Sequence, residues 1–159
     1  MASVLDGKSC SAAVESSLGP RIDACVSAGI IPHLAVVIVG DDPASHVYVG
    51  AKIRACKRLG IKSSHIELPE STSEAELRNI ITELNHDTDV HGILVQSPLP
   101  QHMDEEALTD LIHPSKDVDG FHPVNLGRLV QSRNDCLIPC TPNGVCLLYT
   151  SDAADDSLR

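Results

Sequence analysis

The chain has 159 residues, a formal net charge of −10 and 42% apolar residues, of which aromatics make up only 2% of the chain. That length holds one domain with a real core, resting on Val, Ile, Leu and Ala rather than on rings. The acidity argues against a nucleic-acid surface, which would show a basic stripe, and the apolar fraction argues against disorder.

No apolar run approaches membrane-spanning length and MASVLDGKSCSAAVESS has no signal-peptide core, so a cytoplasmic protein is expected, with no membrane partner. The six cysteines form no CxxC pair and the eight histidines no HExxH, so reduced, mostly buried thiols and no protein-bound metal are expected.

Along the chain, residues 9–28 predict a helix closed by Gly29. HLAVVIVG, residues 33–40, is a continuous β-branched run and reads as a buried strand. Asp42 then supplies an N-cap and Pro43 the first position of a helix that runs to Gly60. At about 100° per residue, Ala44, Val47, Ala51 and Ala55 are expected to face the sheet, with Tyr48 on that face and Lys52 at its edge. IKSSHIEL, residues 61–68, is a second strand. Ser73 and Glu76 have capping-box spacing ahead of Leu77, Ile80, Ile81 and Leu84, which repeat with helical period. HGILVQ, residues 91–96, is a third strand, ending in Gln96 and the proline-stiffened turn SPLP. A helix over 104–113 follows; then the loop PSKDVDGFHPVN leads through a short polar stretch to PCTPNG, residues 139–144. The alternation predicts an α/β fold: a three-layer domain with a mostly parallel sheet flanked by helices, and a ligand crevice beyond the carboxyl ends of the strands.

Tyr48 and Lys52 lie one turn apart, close to that crevice. A helix-edge lysine is most often simply solvated, and a tyrosine most often packs. A lysine against an apolar wall, however, can move protons near neutral pH, and a tyrosine ring offers a stacking surface. Gln96 either solvates its turn, hydrogen-bonds a substrate or holds Lys52 in place. Asp117 and Asp119 flank Val118 ahead of Gly120; such residues usually build turns, but a carboxylate here would also pair with an N–H-rich heterocycle.

Taken together, DDPASHVYVGAK, ELNHDTDVHGILVQSPLP, KDVDGFHPVNLGRL and IPCTPNG, in this order and spacing, resemble the bifunctional methylenetetrahydrofolate dehydrogenase/methenyltetrahydrofolate cyclohydrolase family, from about Leu5 to Val145. The resemblance implies interconversion of 5,10-methylene-, 5,10-methenyl- and 10-formyl-tetrahydrofolate, with NADP as hydride acceptor. It implies that Lys52 is the catalytic acid/base, Tyr48 a stacking platform and Gln96 the residue that tunes the lysine. It makes Asp119 the pterin anchor, lines the pocket with Ser45, Pro98, Leu99 and Pro100, and puts Cys140 and Pro142 near the cleft floor. The family's usual Gln-Leu-Pro is here Gln96-Ser97-Pro98, which replaces an apolar pocket residue by a hydroxyl.

Family members continue after PCTP into a Rossmann-type NADP domain, through which they largely form homodimers. Neither a GRSxIVGxP-like loop nor PGGVGP occurs in this chain, so NADP is not expected to bind it well. Residues 1–145 are expected to be the catalytic, substrate-binding domain. CLLYTSDAADD, residues 146–156, reverse-translates to DNA resembling a transposon-end adapter of sequencing libraries, and 146–159 is expected to be non-native. Two other readings compete. YxxxK is also the short-chain dehydrogenase signature, but there it follows a TGxxxGxG loop that this chain lacks. The other is a fragment that binds folate without turnover.

Overall fold

The computed structural model describes residues 6–156, and side chains as far as residue 150, so Leu5 and residues 157–159 of the expected tail lie outside the described residues. Helix α1 (Gly7–Ser27) starts at Asp6, whose carboxylate accepts from the Lys8 N–H, and ends ahead of Gly29, whose φ of 79° suits glycine. It buries none of its residues and is tied to the next helix by Arg58 and Glu15, 2.6 Å apart.

Three strands, β1 (His33–Val39), β2 (Lys62–Leu68) and β3 (Gly92–Val95), form one parallel sheet in the order β2-β1-β3. Central β1 carries the longest apolar run, because it is paired along its length on one edge and over most of it on the other, and is covered on both faces. Helix α2 (Pro43–Leu59) lies between β1 and β2 in the chain; Asp42 accepts from the Ser45 N–H at its start, and Gly60 ends it in the left-handed region at φ 74°. Helix α3 (Glu74–His86) opens on Ser73, whose hydroxyl accepts from the Glu76 N–H.

The period of two along β1 sorts the core into two clusters. Ala35, Val37 and Val39 meet Leu77 and Ile81 of α3 together with Met103, Leu108 and Ile112. Val36 and Ile38 meet Val49 of α2 and Leu94, with Leu34, Ile53 and Val118 packed around them. These are the two outer layers of the predicted three-layer fold.

Four expectations change. The helix expected over 104–113 is only α4 (Glu105–Thr109), and turns carry the chain on to Pro114. Helix α5 (Pro123–Val130), with His122 as N-cap, starts in the expected loop PSKDVDGFHPVN and runs on through the stretch read as short and polar. Its anchor is polar: Asn125, buried, donates to Pro114 O and Asp117 Oδ2 and accepts from the Leu137 N–H, while Val130 is 85% exposed. PCTPNG begins a further helix, α6 (Cys140–Asp156), which crosses residue 145 without a break. Finally, the six cysteines form no disulfide but only Cys56 is buried, so the thiols are not mostly buried.

Candidate active-site cleft

Helix α2 turns a different face to the sheet from the one its alanines suggest. Ser45, Val49 and Cys56 are buried, with Lys52 and Ile53 partly buried between them, whereas Val47 is 67% and Tyr48 63% exposed. Lys52 therefore sits on the inward face and Tyr48 at its edge, the reverse of the expected order. Small alanines carry little burial signal, and the inward Ser45 is polar, with its hydroxyl 3.4 Å from the Ser97 carbonyl oxygen.

Between α2 and β3 lies a cleft of about 670 Å³. Tyr48, Lys52, Gln96, Asp119 and Cys140 line its polar end. It is not confined to the carboxyl ends of the strands: it runs back along the sheet to His33 and His91, both of which sequence reasoning missed. His33 acts as wall, since its Nδ1 is 3.0 Å from the Asp89 carbonyl and its Nε2 2.7 Å from the Ser64 hydroxyl.

Lys52 Nζ donates to Gln96 Oε1 at 3.1 Å. Gln96 follows directly on β3, where its N–H donates to Val37 O, so the strand itself aims the amide at the lysine. The two acidic residues of KDVDG divide the work. Asp117, 1% exposed, builds the turn: Oδ1 accepts from Gly120 N–H, and Oδ2 from His122 N–H and Asn125 Nδ2. Asp119 faces the cleft. Burial pushes its carboxyl above the usual range; the charge of Lys52 pulls it down and that of Asp117 pushes it up.

Two glycines bring this loop against its neighbours. A Cβ on Gly92 would stand 2.5 Å from Val118 Cγ1, so the side chain's absence lets the loop lie against β3. Gly120, at φ 71°, has Pro139 N 2.7 Å from where a Cβ would be, which draws residues 137–139 in and delivers Cys140 beside Asp119. The Cys140 thiol donates to Val118 O at 3.3 Å. Partial desolvation of the thiol against the cleft wall raises its pKa, with the Asp119 charge acting in the same direction.

The remaining expected pocket residues are not brought into this cleft. Ser45 is buried beneath it, Pro142 is exposed on α6, and Pro98, Leu99 and Pro100 line a separate hollow of about 750 Å³ with Asp41, Asp42 and Glu70. All three follow Gln96 in the turn after β3, and none of them lines the cleft that holds the lysine. Among the described residues no three His, Cys, Asp or Glu side chains converge as a metal site, and no helix is long and apolar enough to cross a membrane.

Residues 5–119 match the family described as tetrahydrofolate dehydrogenase/cyclohydrolase, catalytic domain. The chain is 54% identical over 144 residues to the bifunctional protein FolD of Chlorobium limicola, a match that covers 89% of this chain and 49% of that protein. The bifunctional FolD methylenetetrahydrofolate dehydrogenase/cyclohydrolase of Campylobacter jejuni superposes with a TM-score of 0.91 at 45% identity, over 95% of this chain and 54% of that one. The Trypanosoma brucei enzyme, solved with NADP cofactor and inhibitor, superposes with a TM-score of 0.90 at 32% identity, over 96% and 52%. The chain thus spans about half the length of the curated relatives it matches.

Proposed function

The chain belongs to the tetrahydrofolate dehydrogenase/cyclohydrolase family, and from that premise we propose that its cleft binds a tetrahydrofolate one-carbon derivative and hydrolyses 5,10-methenyl- to 10-formyl-tetrahydrofolate. The observation that carries this reading is the 3.1 Å contact from Lys52 Nζ to Gln96 Oε1 inside a cleft that Tyr48 and Asp119 also line.

Each side chain has a task set by its chemistry. The Asp119 carboxylate accepts from the amino and ring N–H groups of the pterin. Tyr48, at the open mouth, offers its ring as a platform for the flat ligand. Water attacks the bridging carbon of the methenyl cation and Lys52 Nζ takes the proton that the water sheds. The Gln96 carbonyl holds one N–H of the lysine, which restricts the rotation of the amine and leaves its lone pair for that proton. The C–N bond to N5 then breaks: N5 keeps the electron pair and takes a proton back from Lys52, the hydroxyl gives its proton to solvent, and the formyl group is left on N10.

Oxidation of the methylene derivative by NADP is the other reaction the family implies. A dinucleotide's pyrophosphate needs free N–H groups at a helix N-terminus. Those of α2, α3 and α4, the helices after the strands, are engaged by Asp42, Ser73 and Asp104, with Glu74, Glu76, Glu105 and Glu106 beside them. With one N–H of each helix start capped and acidic first turns on α3 and α4, these residues disfavour a pyrophosphate, and no hydride step is assigned to them. Residues 1–145 are taken as the substrate-handling domain and 146–159 as a tail without a role; a genomic reading frame continuous through that tail would refute its non-native origin.

A spectroscopic assay of methenyltetrahydrofolate hydrolysis by this chain and by Lys52→Met tests the function. Loss of about 100-fold or more is expected, the scale of a positioned general base; equal rates refute it. Binding without turnover is the second reading, favoured by the exposure of Tyr48 at the mouth (63%). It predicts that both proteins bind the ligand and neither accelerates hydrolysis.

A further inference from the structure

The proposed hydrolysis makes no use of Glu105, yet its carboxylate clasps the turn that follows Gln96. The Ser97 hydroxyl donates to Glu105 Oε1, and the Leu99 N–H donates to Glu105 Oε2 at 3.2 Å, so the two oxygens hold both sides of the Ser97–Pro98 peptide. Glu105 stands in the first turn of α4, where the Asp104 cap fixes the backbone. A carboxylate in a first helical turn is favourable in itself, but that alone would recruit neither Ser97 nor Leu99.

One carbonyl of the clasped segment is tied to the cleft residues. Ser97 O accepts from Gln96 Nε2 at 2.7 Å and from the Ser45 hydroxyl at 3.4 Å. A glutamine amide has one donor end and one acceptor end. With Nε2 held by Ser97 O, Oε1 is the end left for Lys52 Nζ. A change in the position of the Ser97 carbonyl would free the amide to turn and offer the lysine its NH₂, which cannot accept the lysine's N–H and would instead occupy the lone pair that takes the proton.

We infer that Glu105 is a positioning residue for Lys52. It acts through Ser97 and Leu99 to hold the Ser97 carbonyl, which sets the Gln96 amide with its oxygen toward the lysine. The catalytic consequence rests on the role proposed for Lys52; the geometric link does not. Ser97, a departure from the family's usual apolar residue, becomes the hydroxyl through which Glu105 reaches the site.

The test reads Gln96 directly and needs no turnover. In ¹H–¹⁵N spectra of the whole chain, the Gln96 side-chain NH₂ pair, identified by its loss in Gln96→Leu, is followed in Ser97→Ala and Glu105→Ala, with Glu106→Ala as control. The pair is expected to shift and to exchange faster with solvent in the first two and to stay in place in the control. The hydrolysis rate is expected to fall about fivefold with KM unchanged, what one ordinary hydrogen bond is worth. If Glu105→Ala fails to fold, Ser97→Ala, which removes a single hydroxyl, reads the same link. A Gln96 pair that stays in place in the folded variants overturns the inference. A pair that moves while Lys52→Met hydrolyses as fast as the unaltered chain upholds the link and refutes the catalytic role of Lys52.

Discussion

On one face of the sheet, Ala35, Val37 and Val39 are enclosed by Leu77, Ile81, Leu108 and Ile112, with Ile66, Ile80 and Leu84 sealing the edges. On the other, Val36 and Ile38 find only Val49 and Leu94 as fully buried partners, and a cleft of about 670 Å³ opens beside them. Both faces are fed by alternate residues of the same strand, so the difference lies in what covers them. Helices α3 and α4 bring long aliphatic side chains to the first. Helix α2 brings Ser45, Lys52 and Cys56 to the second. A hollow of about 550 Å³ also opens at the β3 edge of the first face, beside Ile93, Val95 and Ile112, but the charged groups lining it are carboxylates alone; of the two, only the gap beside α2 has a lysine reaching into it.

That contrast predicts unequal costs for similar truncations. Leu77→Ala, on the closed face, is expected to destabilise the fold by about 2–5 kcal/mol, since the buried cavity it leaves has little room to relax. Leu34→Ala, on the cleft wall, is expected to cost less than about half of that, because the space it vacates joins a cleft that solvent already reaches. Reversible denaturant unfolding of the two variants measures both values. Equal costs would mean that the two faces are packed alike.

The next effect is local. Gly120→Ala puts a methyl 2.7 Å from Pro139 N at a φ of 71°, and strain of this kind costs about 1–3 kcal/mol. The loop can relieve it only by releasing residues 137–139, which carries Cys140 away from Asp119. Cys140 is expected to react faster with a thiol reagent in the variant, as the cleft wall that raises its pKa withdraws. An unchanged rate for Cys140, identified by mass spectrometry, would show that the glycine does not place it.

The two faces also differ in how far they could be read from sequence. The closed face was legible: its central strand is a continuous β-branched run, α3 repeats Leu77, Ile80, Ile81 and Leu84 with helical period, and Ser73 caps it as its spacing predicts. The open face was legible only in its motifs. Tyr48, Lys52, Gln96 and Asp119 do meet at one cleft, yet α2 is rotated from the face its alanines indicate, because a hydrogen-bonded Ser45 and a partly buried Lys52 do not register as apolar. Helix α5 escaped for the same reason, its buried anchor being Asn125. The parting of Pro98, Leu99 and Pro100 from the lysine depends on the path of a turn, and hydrophobic periodicity says nothing about that.

Asp119→Asn is the finest probe of the open face. The Asp119 carboxyl lies above the usual range mainly because burial disfavours the charged form, and the nearby Asp117 adds to this while Lys52 opposes it. The fold therefore binds a proton at Asp119 more tightly than the unfolded chain does. The stability this contributes is complete below the ordinary carboxyl value of 3.8 and is lost as the pH rises through the higher folded value. At neutral pH the fold carries a desolvated charge that an amide would not. The Asp119→Asn variant is thus expected to unfold at slightly higher denaturant than the parent at pH 7, with the advantage fading as both are brought below the ordinary carboxyl value. Folate affinity should move the opposite way, since an amide offers the pterin N–H groups one acceptor where the carboxylate offers two. A variant that is more stable at pH 7 and binds folate less well would place the carboxylate where ligand, not packing, accounts for its charge. A loss of stability at pH 7 would instead make Asp119 a turn builder like Asp117.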